Sequence, residues 1–294
     1  MRNKAFKGIV SHMMIWAEKI DGYTLLDSGN GQKLEEIDGI RIIRDEPRAW
    51  WRPKVSKGET LGQFPKVSPW ETVLDIGIGG VKAKIKYKKN SKHIGIFPEQ
   101  ASQWKWIFKK LEERKLESKN AKENKVLSLF GYTGIASLVA AKTGAKVTHV
   151  DGSKQSIEWA RENQKLSGLE DAPIRWILDD ALKFIRREAK RGEKYDCIIM
   201  DPPSFGHGPK GEVWKVEEDL VPLLEACREV LSEKPLFVIL NMYSTELSAI
   251  SLGNLLSDMT KGMETTIEVG ELSIPHQNDS RVLPLSIFAL ALFQ

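Results

Sequence analysis

The 294-residue sequence predicts an α/β protein. A small β-rich domain (residues 1–93) is expected to precede a doubly wound, mostly parallel, seven-stranded sheet that ends in an antiparallel hairpin (residues 94–294). Three observations lead there. From about residue 100, apolar runs of strand length alternate with helical patterns of roughly 10–15 residues, as right-handed βαβ units require. The last two apolar runs, near 264–274 and 283–293, leave no room for a crossover helix and must pair as a hairpin. Residues 20–97, by contrast, are short runs broken by turn signals.

In order along the chain, YTLLDSGNGQKLEEIDGIRIIRDEP reads as three strands joined at Gly29-Asn30-Gly31 and Asp38-Gly39. Trp50 and Trp51 follow, then a Pro/Gly/Ser-rich connection from Pro53 to Pro69. Residues 73–87 read as two strands around Gly79-Gly80. A helix over about 100–117 then leads to strand 125–130, helix 134–143, strand 146–151, helix 153–167 and strand 174–178. Helix 180–191 leads to strand 195–201, helix 216–231 to strand 236–241, and helix 247–261 to the closing hairpin.

Composition narrows the class. The chain is 41% hydrophobic and 29% charged, which suits a packed globular protein and not a disordered one. Its longest apolar stretches have strand length, so no membrane span is expected. The basic-then-apolar N-terminus is interrupted by His12, Glu18 and Lys19, with no small-residue cleavage site, which argues against a signal peptide. Two cysteines, Cys197 and Cys227, lack metal-ligand spacing and cannot form a disulfide framework. His93, His207 and His276 are isolated, so no metal is expected, and the sequence reads as cytoplasmic. Charge is uneven: residues 1–118 hold 23 Lys/Arg against 15 Asp/Glu, and the remainder 21 against 25. A basic front suits a polyanionic partner, although basic surfaces also occur without one.

Two glycine-rich turns compete as a cofactor loop. VLDIGIGG (73–80) has an acid and three glycines, but VKAKIKYKK follows it with period two and offers no helix N-terminus. LSLFGYTGIASLVAAKTGA (127–145) runs from a strand through Gly131 into a helix opened by Gly134, and the next strand ends in Asp151, twenty residues after Gly131. A carboxylate there can accept hydrogen bonds from ribose hydroxyls at the switch point of the sheet. Phe130-Gly131-Tyr132-Thr133-Gly134 lacks the middle glycine of a dinucleotide loop. It suits a smaller adenosine cofactor without phosphate, such as S-adenosylmethionine. Asp179-Asp180, ending the third strand, can accept from an adenine amine, and Asp180 can equally cap the following helix.

The chemistry falls on Asp201-Pro202-Pro203-Ser204-Phe205, at the carboxyl end of strand YDCIIM. Two prolines stop the ladder and stiffen the loop, so that the Asp201 side chain and the Pro202 carbonyl can hold a planar nitrogen-bearing substrate. Methyl transfer from an activated sulfonium needs mainly such positioning. Phe205 can stack on a substrate ring or serve packing.

These segments together resemble the class I S-adenosylmethionine-dependent methyltransferases. They are similar in particular to the large-subunit (23S) ribosomal RNA enzymes that modify cytosine C5 or guanine N7, over roughly residues 94–245. The resemblance implies a Rossmann-like methyltransferase fold, S-adenosylhomocysteine as product and ribosomal RNA as partner. It implies cofactor contacts at Phe97, Gln100, Phe130, Gly131, Tyr132, Thr133, Gly134, Asp151, Gly152, Ser153, Asp179, Asp180, Ala181 and Asp201. It further implies catalytic roles for Asp201, Pro202, Pro203, Ser204 and Phe205.

Two departures matter. Relatives carry an arginine after an acid-glutamine pair just before the sheet, where this chain has Phe97-Pro98-Glu99-Gln100-Ala101. Cytosine-modifying relatives carry a nucleophilic cysteine after the fifth strand, where this chain has Asn241-Met242-Tyr243-Ser244. A base nitrogen, oriented by Asp201 to Phe205 and Asn241, is therefore the expected target. A small molecule or protein side chain as substrate, or an RNA-binding protein without catalysis, remains open. Lys82, Lys84, Lys86 and Lys88 alternate along one strand at about 7 Å, which suits either phosphates or an edge protected from aggregation. Trp50, Trp51, Trp104 and Trp106 read as packing groups, and Gly206 to Lys215 as a substrate lid or an ordinary loop.

Overall fold

The computed structural model describes residues 13–54, 69–88, 93–117, 123–243 and 246–294. Most of the Pro53–Pro69 connection, and Ser244, lie outside the described residues. Strand β1 (Met13–Ala17) is followed by an antiparallel sheet of β2 (Tyr23–Gly29), β3 (Gln32–Ile37) and β4 (Ile40–Asp45). A hairpin of β5 (Trp70–Asp75) and β6 (Lys82–Tyr87) comes next, so the Gly77-Ile78-Gly79-Gly80 turn joins two strands and opens no helix.

A single turn of tighter helix, Pro98–Gln100, runs into α1 (Ala101–Glu117). Trp104, Ile107 and Leu111 fall on one face of α1 and are buried. Then come β7 (Lys125–Leu129), α2 (Ile135–Lys142), β8 (Lys146–Asp151), α3 (Lys154–Leu166), β9 (Ile174–Leu178), α4 (Ala181–Lys190) and β10 (Cys197–Met200). A two-stranded ribbon, β11 (Phe205–His207) with β12 (Val213–Lys215), precedes α5 (Val216–Glu229). Strand β13 (Phe237–Met242), α6 (Ala249–Met259), β14 (Thr265–Pro275) and β15 (Val282–Phe293) complete the chain.

The large sheet has the order β1-β14-β15-β13-β10-β7-β8-β9. Strands β13, β10, β7, β8 and β9 are parallel, and β15 runs antiparallel to both β13 and β14, as the sequence predicts. The expected seven strands are corrected to eight. Strand β1 adds parallel to β14 from Met13↔Val269 to Ala17↔Ser273 and covers what would be an open edge. Its alternation explains the fit: Ile15 faces solvent, while Trp16 packs on Phe288 at 4.8 Å and Trp106 at 6.2 Å. The charged residues around this run hide the pattern from a sequence reading.

One hydrophobic cluster joins the small β region (Ile20, Leu25, Ile37, Ile85) to α1, α2 and one face of the large sheet. The other face is covered by α4, α5 and α6. Trp104 is buried, and Trp51 and Trp106 are half-buried against the first cluster. Trp50 departs from its expected packing role and is 87% exposed.

Candidate active site

The carboxyl ends of β7, β8, β9 and β10 open into a cleft of about 510 Å³. Its walls bring together Phe97, Phe130, Tyr132, Asp151, Gly152, Ser153, Asp179, Asp180, Ala181 and the whole Asp201–Phe205 segment. Gln100, Gly131 and Thr133 line a smaller cavity of about 40 Å³ behind it, shared with Phe97, Phe130, Tyr132 and Asp201. Gly134 lines neither cavity. It starts α2 with a left-handed φ of 81°, and its carbonyl accepts from the Leu138 N–H.

The loop after β7 is held in a shape few sequences adopt. Phe130 and Tyr132, neither of them glycine, take positive φ of 55° and 48°. Such strain persists only where the surroundings enforce it, and it clusters at functional sites. Gly131 is demanded from below, since a Cβ there would run into the His149 ring. The Asp151 carboxylate ties the loop from the side: one oxygen accepts from the Tyr132 N–H at 2.8 Å, the other from the Ser153 N–H at 2.8 Å. Each oxygen keeps a lone pair for a further donor. Burial raises the Asp151 pKa, and these two N–H groups oppose the rise.

The second acidic pair is occupied differently. Asp180 caps α4 by accepting from the Lys183 N–H at 2.8 Å, and Asp179 accepts from the Asp180 N–H at 2.9 Å and pairs with Arg187. The capping role of Asp180 is thus present, with its carboxylate still on the cleft wall.

Asp201 is the most unusual group. Its Oδ2 accepts from Gln100 Nε2 at 2.7 Å, while Oδ1 is buried without a hydrogen-bond partner. Burial, reinforced by Glu99 and opposed by Gln100, pushes its pKa up to about 7. Gln100 Nε2 also donates to the Tyr243 hydroxyl at 3.1 Å, and the Tyr243 ring sits 5.2 Å from Phe97. The loop after Asp201 is pinned by Trp214, whose Nε1 donates to the Pro203 carbonyl at 2.6 Å while its ring packs on Phe130. Residues 206–215 form the β11–β12 ribbon at the cleft mouth, with Phe205 57% exposed there.

Asn241 lines the smaller cavity behind the cleft, where it is buried in a reciprocal amide pair with Gln103 of α1, two bonds of 2.7 Å each. Tyr243, two residues on, faces the cleft instead. Cys197 lies inside β10 and Cys227 inside α5, both buried away from the cleft, and burial pushes both thiols up. The lysine row also changes meaning. Lys84 Nζ meets Glu162 at 2.6 Å and Glu71 at 2.8 Å, and Lys86 Nζ meets Glu162 at 2.7 Å.

The sequence reading also missed a wall. Lys33, Arg44, Glu46 and Arg48, from β3, β4 and the turn after it, also line the cleft. Their spacing carries no motif, and only the packing of the small sheet against the large one brings them there. Among the described residues no three His, Cys, Asp or Glu side chains converge as a metal site. None of the described helices is long and apolar enough to cross a membrane.

A cleft at the carboxyl edge of a doubly wound sheet, with an acid after the second strand and a rigid Asp-Pro-Pro turn after the fourth, defines a class: adenosine-cofactor enzymes of the Rossmann-like type. The family model described as S-adenosylmethionine-dependent methyltransferase matches residues 66–234, and the chain belongs to that family. A crystal structure of the SAM-dependent methyltransferase from Agrobacterium tumefaciens is 40% identical, with a TM-score of 0.87, over 96% of this chain and 94% of that one. Ribosomal RNA large subunit methyltransferase K/L of Shewanella frigidimarina is 41% identical over 121 residues, which are 40% of this chain and 17% of that protein. Ribosomal RNA large subunit methyltransferase I of Aeromonas salmonicida is 32% identical over 178 residues, 60% of this chain and 39% of that protein. The chain thus spans less than half the length of these ribosomal relatives.

Proposed function

We propose that this methyltransferase modifies a base nitrogen in ribosomal RNA, in the cytoplasm, with residues 94–294 as the catalytic region and residues 1–93 as a β-rich region that meets the RNA. The observation that carries the reading is the unpartnered, buried Oδ1 of Asp201 at a cleft that the strained Phe130–Gly134 loop also faces. A buried acceptor left without a donor is costly, and a ligand N–H removes the cost.

The residues present fit S-adenosylmethionine. Asp151 has lone pairs for ribose hydroxyls, Asp179 and Asp180 flank the place for the base, and Phe97, Phe130 and Tyr132 supply apolar walls. When bound, the cofactor supplies an electrophilic methyl group on a sulfonium. Asp201 Oδ1 and the Pro202 carbonyl accept N–H bonds from the substrate base and hold its lone pair in line. With a pKa near 7, Asp201 can also take the proton released from the nitrogen. Phe205 lies exposed at the mouth, where a base would stack. Neither thiol faces the cleft, which favours nitrogen over cytosine C5 as the target.

The test is methyl transfer to total ribosomal RNA followed by mass mapping of the modified nucleotide. A nitrogen-methylated base supports the reading, and C5-methylcytosine overturns it. Asp151→Ala should weaken S-adenosylmethionine by about ten- to hundredfold in calorimetry, from lost charge-assisted bonds. An unchanged affinity in the folded variant would remove Asp151 from the cofactor site.

A further inference from the structure

The amino-acid tail of S-adenosylmethionine carries an α-ammonium and an α-carboxylate, and a buried carboxylate needs a cation. The segment before the sheet, Phe97-Pro98-Glu99-Gln100-Ala101, offers an acid and an amide and then an alanine. A cation reaches the same cleft from elsewhere. Lys33 of β3 lines it beside Arg44 of β4, and the side chain of each is only 8% exposed.

The two cations are not equally engaged. Arg44 clasps Glu35 with two bonds, Nε to Oε2 at 2.6 Å and Nη2 to Oε1 at 2.7 Å. Tyr23 donates to the same Glu35 at 2.6 Å. Lys33 Nζ reaches Glu35 Oε1 only at 3.4 Å, and an ammonium has three N–H donors. Burial alone would raise the Glu35 pKa, but Arg44 and then Lys33 hold it at about 2, so Glu35 is ionised. Glu35 therefore holds Arg44 more closely than Lys33, and the Lys33 ammonium keeps N–H donors at the wall of the cleft. Glu99, the next acid, is buried and feels both Lys33 and Arg44 electrostatically.

We propose that Lys33 binds the α-carboxylate of the cofactor, so that the small β-rich region completes the cofactor site; the proposal rests on S-adenosylmethionine occupying this cleft. Glu99, which lines the same cleft, then takes the α-ammonium end of the same tail.

The experiment compares two ligands by calorimetry on the full chain. S-adenosylhomocysteine carries the amino-acid tail, and methylthioadenosine lacks it. Lys33→Met should weaken S-adenosylhomocysteine by about ten- to hundredfold and leave methylthioadenosine within about twofold. Lys33→Arg should recover most of the loss. Retained methylthioadenosine binding reports that the variant is folded, and Lys33→Gln serves if the methionine variant is not. Equal losses for both ligands, or no loss for S-adenosylhomocysteine, overturn the proposal. If Lys33→Met weakens only a fluorescent RNA oligonucleotide, the cation belongs to a phosphate of the substrate and the proposal also falls. Failure of the wild type to bind either ligand would instead overturn the cofactor reading of the cleft.

Discussion

At the scale of single residues, Asp201 concentrates both the cost and the chemistry of the site. A carboxyl whose folded pKa is about 7, against an ordinary value of 3.8, binds more protons folded than unfolded between those two values. Stability contributed by this group therefore falls as pH rises from about 4 to about 7, and the full penalty of the buried charge applies above 7. Asp201→Asn removes the charge at nearly constant shape. The variant should gain stability over the wild type, the gain growing by up to about 3 kcal/mol between about pH 5 and pH 8 in chemical denaturation. Methyl transfer should be lost at every pH, while wild-type kcat/KM should decline as pH falls through about 7. A gain independent of pH would mean that Asp201 is ionised in the folded protein throughout that range, as it is in the unfolded chain. The Asp-Pro-Pro turn and Asp151 were legible in the sequence because each follows an apolar run at a spacing the chemistry dictates. The partners of Asn241 and Tyr243 were not, since they are the Gln103 and Gln100 amides, far away along the chain.

At the scale of elements, β6 on α3 shows how a charge pattern misleads. Alternating lysines are equally compatible with a phosphate track and with neutralised packing, and the sequence does not show which acids stand opposite. Glu162, on the face of α3 that meets β6, takes both Lys84 and Lys86, and Lys86 also lies 4.8 Å over the Trp159 ring. Replacing both lysines by alanine should leave the salt slope of RNA binding unaltered. It should shift stability by no more than about 1 kcal/mol, because partly exposed ion pairs contribute little. Anisotropy titrations of an RNA oligonucleotide across a potassium chloride series measure the slope. A decrease of about one unit per lysine would return the row to phosphate binding. The βαβ alternation was readable because helical and strand periods differ over many residues. The β11–β12 ribbon, three residues a strand, is too short for periodicity to reveal.

At the scale of the whole molecule, the small β region and the doubly wound sheet share one apolar interior, and β1 crosses from the first texture of the chain to the far edge of the second. A boundary at residue 93 follows from local texture, which records strand length and turn density but not which faces meet. The consequence is cooperative. Ile20, Leu25 and Ile85 belong to the same buried cluster as Trp104, Ile107 and Phe288, so unfolding the front would expose the interior of the back. Calorimetric melting should therefore give a single transition. Trp16→Ala removes a half-buried ring wedged between Trp106 and Phe288, and should cost about 2–4 kcal/mol, somewhat less than a fully buried tryptophan. That loss should move the one transition down by several degrees without splitting it. It should also weaken S-adenosylmethionine little at low temperature, where the fold is intact, because Trp16 lies at the edge of the sheet away from the cleft-lining residues. Two transitions, with only the lower one displaced by Trp16→Ala, would show that residues 1–93 unfold on their own. The wall carrying Lys33 and Arg44 would then be lost before the sheet melts, and cofactor affinity would fall with the first transition.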